Sequence, residues 1–420
     1  MIKVGIIGVG TVGTSVAEIL RDNADVISAR AGVDIVVKRG VVRNLNKERG
    51  LDIVLSDNVD DILGDEEIDI VVELMGGVEE AFEVVKKALR AGKAVVTANK
   101  ALLAYHRYEL QSIAKDVAFE YEASVAGGIP IINALRDGLS ANHIESIRGI
   151  MNGTCNYMMT KMTNEGVAYD AILKEAQELG YAESDPTFDV GGFDAAHKLL
   201  ILASIAYGID AKPEDILIEG IDKVTQDDIS FAKEFGYVIK LLGIAKKDKN
   251  EVELRVHACL IGKNEMIAKI DGVMNGISVV GDKVGETLYY GPGAGGNATA
   301  SAVVANIIDI ARSGKSTPML GFNKAMEGDT LTLKSSADIV SKYYLRINVS
   351  DKTGVLAKIT KIFENHNISI ETMLQRPCTS ESANLLVSTH LAVEKDIQAM
   401  ISELEALDFV NAKPVMIRIV

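Results

Sequence analysis

The sequence is short of cysteine. Its three cysteines, Cys155, Cys259 and Cys378, lie far apart in 420 residues. They form neither a CxxC pair nor a Cys/His spacing, so the sequence supports neither a disulfide framework nor a zinc site. Few, scattered cysteines are typical of a reducing compartment, and we therefore expect a cytoplasmic protein.

Long hydrophobic runs are also missing. No apolar run reaches the roughly 18 residues that a membrane-spanning helix needs. The N-terminus, M-I-K-V-G-I-I-G-V-G, enters a strand pattern at once, without a basic region or a cleavage site. We therefore expect a protein that is neither secreted nor membrane-spanning.

Basic residues are scarce relative to acidic ones. The chain has 44 Lys and Arg against 59 Asp and Glu, a formal net charge of -15, and a pI near 5.0. Proteins that bind nucleic acid concentrate positive charge on one face, so this balance argues against a nucleic-acid partner. Any anionic ligand must be held by a local site.

The length and the hydrophobic content of 48% predict two or three domains with ordinary cores. Short apolar strands alternate with helical stretches, such as 80–90 and 108–115, through the first part of the chain. This alternation predicts an α/β fold with a doubly wound, Rossmann-type parallel sheet over 1–130. A helix rich in small residues follows a glycine turn near 293–313, and we expect it to complete this domain.

The regular alternation of short strands and helices ends near Gly149, where long helical stretches mix with extended runs. We interpret 131–312 as an α+β domain for substrate binding and dimerisation. Residues 313–342 have the polar composition of a linker. Residues 343–420 show a β-α-β-β-α-β pattern, which predicts a small ferredoxin-like domain.

The string G-V-G-T-V-G follows the first strand and opens the first helix. Glycines permit a tight turn and close approach of a pyrophosphate, and the helix N-terminus offers free N–H groups. This context favours a dinucleotide site over a plain glycine-rich turn. The cofactor-binding residues that it predicts are Gly8, Gly10, Thr11, Val12 and Gly13.

The end of the second predicted strand has Arg43 where a carboxylate would select NAD. A cation there suits a 2′-phosphate and an acid repels it, so we expect NADP(H) to be preferred, with NAD(H) possible. Two observations keep the alternative open. Arg43 could be a solvated strand end that stacks on adenine, and Asp34 is a residual argument for NAD.

Two further strand ends carry polar side chains. Lys100, in T-A-N-K, ends a predicted parallel strand at the edge where such sheets bind ligands, so we expect it to act beside the cofactor. Glu122 ends the next strand and precedes a glycine loop. One carboxylate with inward carbonyls would suit a hard cation, although a plain loop would have the same sequence.

The stretch G-Y-A-E-S-D-P-T-F-D-V-G-G-F-D-A-A-H-K gathers acids before a lysine. Asp194 and Lys198 are four residues apart on a predicted helix and share one face. A solvated surface pair is the ordinary interpretation, but the apolar residues that flank them leave little room for a solvated face. We therefore expect a site that binds an ammonium group, with Lys198 as proton donor and Asp194 as an orienting residue.

Six strings carry a resemblance that covers essentially the whole chain: GIIGVGTVG at 5–13, TANK at 97–100, EASVAGGIPII at 122–132, GIMNGTCNYM at 149–158, LGYAESDPTFDVGGFDAAHKLLILA at 179–203 and YYGPGAGGNATASAVV at 289–304. The chain resembles the monofunctional homoserine dehydrogenases with a C-terminal ACT domain. The resemblance implies reversible NAD(P)H-dependent reduction of L-aspartate 4-semialdehyde to L-homoserine, on the route to threonine and methionine.

The resemblance also implies roles for particular residues. Lys198 would donate the proton, and Lys100 would lie near the nicotinamide. The substrate would contact Glu183 and Asp194, with Asp189 nearby, and the cofactor would also touch Gly180 and Gly295. A sodium ion would be held by Glu122 and the carbonyls of Val125, Gly127 and Ile129. A homodimer or homotetramer is expected.

The C-terminal domain is similar to ACT domains, and a helix N-terminus within it can hold the carboxylate of an amino acid. Threonine is the implied effector, with Asp351, Gly354 and Asn367 as candidate contacts. A dimerising module without a ligand is the alternative for this domain. For the whole chain, the alternatives are reduction of a different small aldehyde or ketone, and a non-catalytic amino-acid sensor.

Overall fold

The computed structural model describes residues 1–313, 318–324, 331–379 and 381–420. The chain forms two compact units, which we describe separately. Unit 1 comprises 1–153, 194–215 and 273–331, and unit 2 comprises 154–193, 216–272 and 332–420. None of the described helices is long and apolar enough to cross a membrane.

The described strands are β1 Ile2–Ile7, β2 Ile35–Val41, β3 Val54–Ser56, β4 Ile70–Glu73, β5 Ala94–Thr97, β6 Phe119–Glu120, β7 Ile144–Ile150, β8 Leu217–Ile218, β9 Tyr237–Asp248, β10 Glu251–Gly262, β11 Met274–Gly281, β12 Gly285–Pro292, β13 Thr332–Leu333, β14 Val340–Ser350, β15 Ile370–Pro377, β16 Ser382–Thr389, β17 Ala392–Val393 and β18 Val415–Ile419.

The described helices are α1 Thr11–Asp22, α2 Ala24–Ala31, α3 Asp60–Leu63, α4 Glu79–Arg90, α5 Lys100–Ala114, α6 Ile131–Asn133, α7 Gly153–Glu165, α8 Tyr169–Glu178, α9 Thr187–Val190, α10 Phe193–Tyr207, α11 Gln226–Glu234, α12 Gly296–Ser313, α13 Val355–Asn365 and α14 Glu394–Glu405.

Unit 1 contains a six-stranded parallel sheet with the order β3-β2-β1-β4-β5-β6. Its inner strands are short and mostly apolar because helices cover both faces of the sheet. All four residues of β4, for example, are buried. The strand order reverses between β1 and β4, which is where sheets of this kind bind ligands. The predicted Rossmann-type fold is confirmed.

The last helix of unit 1 shares the core of this sheet. Val303 and Ile307 of α12 belong to the same buried cluster as Val4 of β1 and Val16 of α1. Small residues in α12 allow the close approach of α1. Unit 1 also contains an antiparallel sheet in which β11 pairs with β7 on one side and β12 on the other.

Unit 2 contains a mixed sheet with the order β9-β10-β18-β14-β16-β15. The strands and helices from β14 to β18 follow the β-α-β-β-α-β order, and their strands have the spatial order β18-β14-β16-β15 of a ferredoxin-like fold. Alternate residues of β14 point to opposite faces, so Tyr343, Leu345 and Ile347 enter the core under α13 and α14. The predicted ferredoxin-like fold is confirmed.

The first and last strands of this fold have clear starting points. The first strand begins at Val340, because Val340 and Ser341 pair with β17. The last strand begins at Val415, directly after Pro414, whose missing N–H disfavours an earlier start. The predicted linker, 313–342, includes 314–317 and 325–330, which lie outside the described residues; its described part includes β13, which pairs with β10.

Candidate functional site

The glycine turn between β1 and α1 has little room for side chains. Gly8 has a φ of +100°, and a Cβ there would lie 2.5 Å from the carbonyl oxygen of Leu74. A Cβ at Gly13 would overlap with the carbonyl of Gly8, whereas Gly10 faces open space. No side chain caps α1 at Gly10, so the first N–H groups of the helix remain available to an anion.

A second helix begins beside this turn. A Cβ on Gly296, the first residue of α12, would lie 2.9 Å from Oγ of Ser15 and 3.3 Å from Cγ2 of Thr11. The preceding Gly295 has a φ of +119° and open space around it. The N-termini of α1, at Thr11 and Val12, and of α12 therefore lie together, so their positive dipole ends reinforce one another. These residues fit the pyrophosphate of a dinucleotide cofactor.

The string T-A-N-K is held at the carboxyl edge of the same sheet. Oγ1 of Thr97 donates to Oε2 of Glu73 at 2.6 Å, which joins the ends of β5 and β4. The side chain of Asn99 caps α5 by accepting an N–H from its first turn. The helix therefore begins at Lys100, eight residues before the predicted start at Tyr108, and this places the lysine at a rigid helix end.

Asp194 is the centre of a buried ionic cluster. Its Oδ2 accepts hydrogen bonds from Nζ of Lys198 at 2.8 Å and from Nδ2 of Asn152 at 2.9 Å. Its Oδ1 lies 3.0 Å from Nζ of Lys100. We call these four residues the Asp194 cluster. The structure thus brings together the three residues predicted to be catalytic, which come from α5 and α10.

The cluster has one carboxylate for two ammonium groups. Burial alone would raise the pKa of Asp194, but the charges of Lys198 and Lys100 hold its pKa well below the usual range. Burial, helped by the charge of Lys100, lowers the pKa of the adjacent His197, which is therefore neutral at pH 7. The net positive charge suits a ligand oxygen that becomes negative.

Lys198 keeps one donor for a ligand. Its Nζ donates to the carbonyl of Met151 at 2.7 Å and to Asp194 at 2.8 Å. An ammonium group has three N–H bonds, and the third has no hydrogen-bond partner among the described residues. The Lys198 side chain is 11% exposed and that of Lys100 is 35% exposed, so a ligand can reach the cluster from the Lys100 side.

The sequence interpretation missed two residues of this region. Asn152 was part of a matching string but received no role, and asparagine alone carries no acid–base signal. Arg49 donates from Nε to the carbonyl of Val9 at 2.9 Å and from Nη1 to carbonyls of Asn44 and Lys47. It fixes the loop after β2 against the glycine turn, a contact across 40 residues of sequence that no local pattern indicates.

Arg43 lies in that loop, and its side chain is 85% exposed, with Nη2 3.7 Å from a carboxylate oxygen of Glu80. The position is therefore accessible to a ligand. Asp34 precedes β2 and lies at its amino end, where its carbonyl accepts from Ile2. Because dinucleotides bind at the carboxyl ends of the strands, the argument for NAD from Asp34 was wrong.

Glu122 is buried, with 2% exposure, and both of its oxygens accept backbone hydrogen bonds. The donors are the N–H groups of Ile132 at 2.7 Å and Asn133 at 2.8 Å. Burial raises the pKa of Glu122 to about 7. Within the described ranges, no group of three His, Cys, Asp or Glu could hold a metal ion, so a cation here would depend on backbone carbonyls.

The loop after Glu122 has a left-handed backbone at Ala126, with a φ of 55°, and at Gly127, with a φ of 50°. A Cβ at Gly127 would lie 2.7 Å from the carbonyl oxygen of Gly293, so the loop packs against the turn that leads to α12. Val125 and Ile129 are buried on either side. The carbonyl of Ile129 already accepts from the N–H of Ile131 at 2.8 Å.

Three residues predicted to contact the substrate or the cofactor belong to unit 2. Glu183 is exposed in the loop after α8. Gly180, with a φ of 74°, ends α8 in a left-handed conformation that glycine favours. Asp189 lies in α9, and its carbonyl accepts from Sγ of Cys155 at 3.3 Å. The ligand roles of Glu183, Asp189 and Gly180 stay predictions.

The candidate regulatory residues lie at two ends of α13. Gly354, with a φ of 88°, precedes the helix, and Asp351, three residues earlier, accepts from Nε2 of Gln375 at 3.2 Å. Asn367, with a φ of 56°, follows the other end. Eleven helical residues separate these positions by about 16 Å. One small amino acid cannot contact both ends within a single chain.

These features define a class. The glycine turn at the carboxyl edge of the parallel sheet fits a dinucleotide, and the same unit contains an ammonium group with an unused N–H. This arrangement is typical of a nicotinamide-dependent dehydrogenase.

Comparisons with known proteins identify the family. The models of homoserine dehydrogenase, its NAD binding domain and the ACT domain match residues 130–308, 8–122 and 343–409. The chain is 54% identical to the homoserine dehydrogenase of Helicobacter pylori, over 100% of this chain and 99% of that one. The chain belongs to the homoserine dehydrogenase family, and it is an oxidoreductase that acts on a CH–OH group.

Solved structures agree with this assignment. A homoserine dehydrogenase from Thiobacillus denitrificans has a TM-score of 0.93 and 46% identity, and the match covers 100% of this chain and 98% of that one. A hyperthermophilic archaeal homoserine dehydrogenase in complex with NADPH has a TM-score of 0.63 and 27% identity, with 73% of this chain and 97% of that chain covered.

Proposed function

We propose that Lys198 donates the proton in the interconversion of L-aspartate 4-semialdehyde and L-homoserine, the reaction of this family. In the direction of reduction, Lys198 delivers a proton to the carbonyl oxygen as it becomes an alkoxide. Asp194 orients the ammonium group, and Lys100 adds positive charge beside the reacting oxygen. A bound nicotinamide would supply the hydride.

The observation that carries this proposal is the spare N–H of Lys198. Two of its donors are fixed by Met151 and Asp194, so the remaining N–H has a defined direction. The low pKa of Asp194 keeps the carboxylate charged at neutral pH, so that it continues to hold both ammonium groups.

The first experiment is absorbance at 340 nm with homoserine and either NADP+ or NAD+. We expect absorbance to rise as reduced cofactor forms. A different small alcohol that turned over faster than homoserine would contradict the substrate. Threonine binding without turnover with either cofactor would favour the non-catalytic sensor.

We propose that NADP(H) is the preferred cofactor and that Arg43 contacts its 2′-phosphate. No acid ends β2, the exposed guanidinium has one distant partner among the described residues, and the archaeal relative was solved with NADPH. Replacing Arg43 with Ala should raise KM for NADP+ about tenfold with little change for NAD+. Arg90→Ala, an exposed arginine at the end of α4, is the matched control, and equal changes for both cofactors would contradict the assignment.

We propose a sodium ion at Glu122 and the carbonyls of Val125, Gly127 and Ile129. The buried carboxylate and the left-handed loop support it, because a bound cation would favour the charged form of a group that burial disfavours. NaCl should raise the melting temperature more than choline chloride at equal ionic strength. Glu122→Gln should remove the difference; an identical response of the parent protein to both salts would argue against the ion.

We propose threonine as the effector of the ACT domain, with contacts at Asp351 and Gly354; Asn367 stays a prediction at the far end of α13. The N-terminus of α13 has no side-chain cap, which leaves N–H groups for a carboxylate. Threonine should inhibit the parent enzyme, and Asp351→Ala should weaken this inhibition, whereas Asp408→Ala, another exposed acid of the domain, should not. Unchanged inhibition in Asp351→Ala would exclude the contact.

Assembly, location and domain limits complete the proposal. We expect a cytoplasmic homodimer or homotetramer, which light scattering of the purified protein would distinguish from a monomer. The domain limits that we propose are 1–130, 131–312, 313–342 and 343–420, with 293–313 completing the first domain. Limited proteolysis should cut first within 313–342.

A further inference from the structure

Asn275 connects two parts of unit 1 that the proposed chemistry requires. It is the second residue of β11 and is 1% exposed. Its Nδ2 donates to the carbonyl of Met151 at 3.1 Å. The same carbonyl accepts from Nζ of Lys198 at 2.7 Å. A single backbone oxygen thus receives hydrogen bonds from the proton donor and from Asn275.

The other side of the amide lies against Gly293. A Cβ on Gly293 would overlap with the side-chain amide of Asn275, so glycine is required for this contact. Gly293 opens the turn that runs through Gly295 into α12, the helix whose N-terminus lies beside Thr11. Asn275 therefore contacts both the carbonyl that accepts from Lys198 and the turn that leads into α12, whose N-terminus forms part of the proposed cofactor site.

The segment around Met151 is fitted closely to the same strand pair. A Cβ on Gly153 would lie 2.8 Å from the carbonyl oxygen of Val273, the residue before β11. Any larger residue would push 151–153 away from β11 and lengthen the hydrogen bond between Asn275 and Met151.

The side-chain amide of Asn275 reduces the stability of the fold at one of its two polar atoms. Its Oδ1 is buried and has no hydrogen-bond partner among the described residues. An unpaired buried polar atom destabilises a fold, and an apolar side chain of the same shape would avoid the penalty. Stability alone therefore does not explain an asparagine at this position.

We propose that Asn275 is a positioning residue: it fixes the carbonyl of Met151, and through it the ammonium group of Lys198, relative to the turn at 293–296. This inference rests on the proton-donor role proposed for Lys198. Without the amide, Lys198 is the single donor to this carbonyl within the described part of the chain. The carbonyl can then rotate, so the spare N–H of Lys198 loses its fixed direction.

The first test is Asn275→Leu, which nearly keeps the shape and removes both polar atoms. We expect kcat to fall about tenfold, as misplacement of a catalytic group does, with KM for NADP+ within twofold of the parent value. The solvent deuterium isotope effect on kcat should increase, because proton transfer becomes slower. The melting temperature should stay the same or rise.

A purely structural role predicts the opposite: a lower melting temperature with kcat and its isotope effect unchanged, and this result would overturn the proposal. Asn142→Ala is the matched control. Asn142 holds the other end of the β11–β12 hairpin by accepting from the N–H of Val284 at 3.0 Å, so its loss should cost stability and leave kcat unchanged.

The second test uses the contact with Gly293. Gly293→Ala should displace Asn275 and lower kcat as Asn275→Leu does. Asn275→Ala makes room for the added methyl group, so the double variant Gly293→Ala/Asn275→Ala should be no slower than either single variant. Losses that multiply would mean that the two residues act independently, against the proposal.

Lys198→Met, measured in parallel, separates the two proposals. If it retains turnover, the proton-donor role of Lys198 fails. If it is inactive while Asn275→Leu keeps the parent kcat and isotope effect, the positioning role alone fails.

Discussion

Units 1 and 2 each contain a buried ionic cluster, but the two are built in opposite ways. In the Asp194 cluster, one carboxylate serves two ammonium groups. In unit 2, Arg418 serves two carboxylates: it contacts Glu394 at 2.6 Å and Glu219 at 2.7 Å, and Tyr343 also donates to Glu394, at 2.9 Å. We call these four residues the Arg418 cluster.

If Lys198 is the proton donor that we propose, the difference separates a reactive arrangement from a structural one. Arg418 makes four hydrogen bonds to its carboxylates, and its side chain is 1% exposed. A guanidinium does not give up its proton in proteins, whereas a lysine can. The Arg418 cluster therefore joins β18 to α14 and to the segment after β8, whereas the Asp194 cluster includes an ammonium group with an unused N–H and has an accessible side.

The largest effect should follow removal of Arg418. Arg418→Met would leave two carboxylates without their cation, so the free energy of unfolding should fall by about 3 to 5 kcal/mol in urea titrations. The kcat of the folded fraction should be unchanged. A loss below about 1 kcal/mol, the range of an exposed pair, would mean that the Arg418 cluster does not stabilise unit 2.

The next effect concerns catalysis. Lys198→Met should lower kcat about 100-fold or more, the usual cost of a lost acid–base group, with cofactor binding retained in calorimetry. Lys240→Met is the control, because Lys240 is also a buried lysine that donates to a carbonyl and a carboxylate, those of Ile270 and Asp271. It should lose stability and keep kcat. The reverse pattern would remove the distinction between reactive and structural lysines.

Lys100→Met should have a smaller effect than Lys198→Met, about tenfold on kcat/KM, because the role that we propose for Lys100 is to contribute charge and position rather than the transferred proton. Steady-state kinetics with both substrates measures it. If Lys100→Met were as slow as Lys198→Met while the latter recovered at high pH, the proton role would belong to Lys100.

The smallest effect is the acid sensitivity that both clusters share. Opposing their burial, Lys198 and Lys100 lower the pKa of Asp194, and Arg418 lowers that of Glu394. A carboxylate with a depressed folded pKa contributes stability above its unfolded pKa, about 4, and loses it as pH falls through the folded value. Below about pH 4, the slope of the unfolding free energy against pH reports how many more protons the unfolded state binds than the folded state. Asp194→Asn and Glu394→Gln should each lower this number by up to one. Slopes equal to that of the parent would contradict a depressed pKa of these carboxylates.

Local patterns predicted the parts of the site that depend on short distances along the chain. The glycine turn, Lys100 at a strand end and the pair Asp194 and Lys198 all follow from strand edges or helical spacing. Alternating strands and helices likewise predicted the Rossmann-type and ferredoxin-like folds.

Contacts between distant segments could not be predicted. Asn275 reaches Met151 across 124 residues, and Arg418 reaches Glu219 across 199. Asparagine and arginine are common surface residues, so neither carries a local signal. Asn367 lies at the opposite end of α13 from Asp351, and its role in ligand binding stays a prediction.

The position of α12 has a consequence for how the protein is made. Val303 and Ile307 pack against β1 and α1. The hydrophobic core of the nucleotide-binding sheet is therefore incomplete until α12 has been synthesised. At the usual 5 to 20 residues per second, roughly 15 to 60 s separate the emergence of β1 from that of α12. During that interval the nascent chain carries a sheet with part of one apolar face uncovered, because only α1 and α2 cover that side.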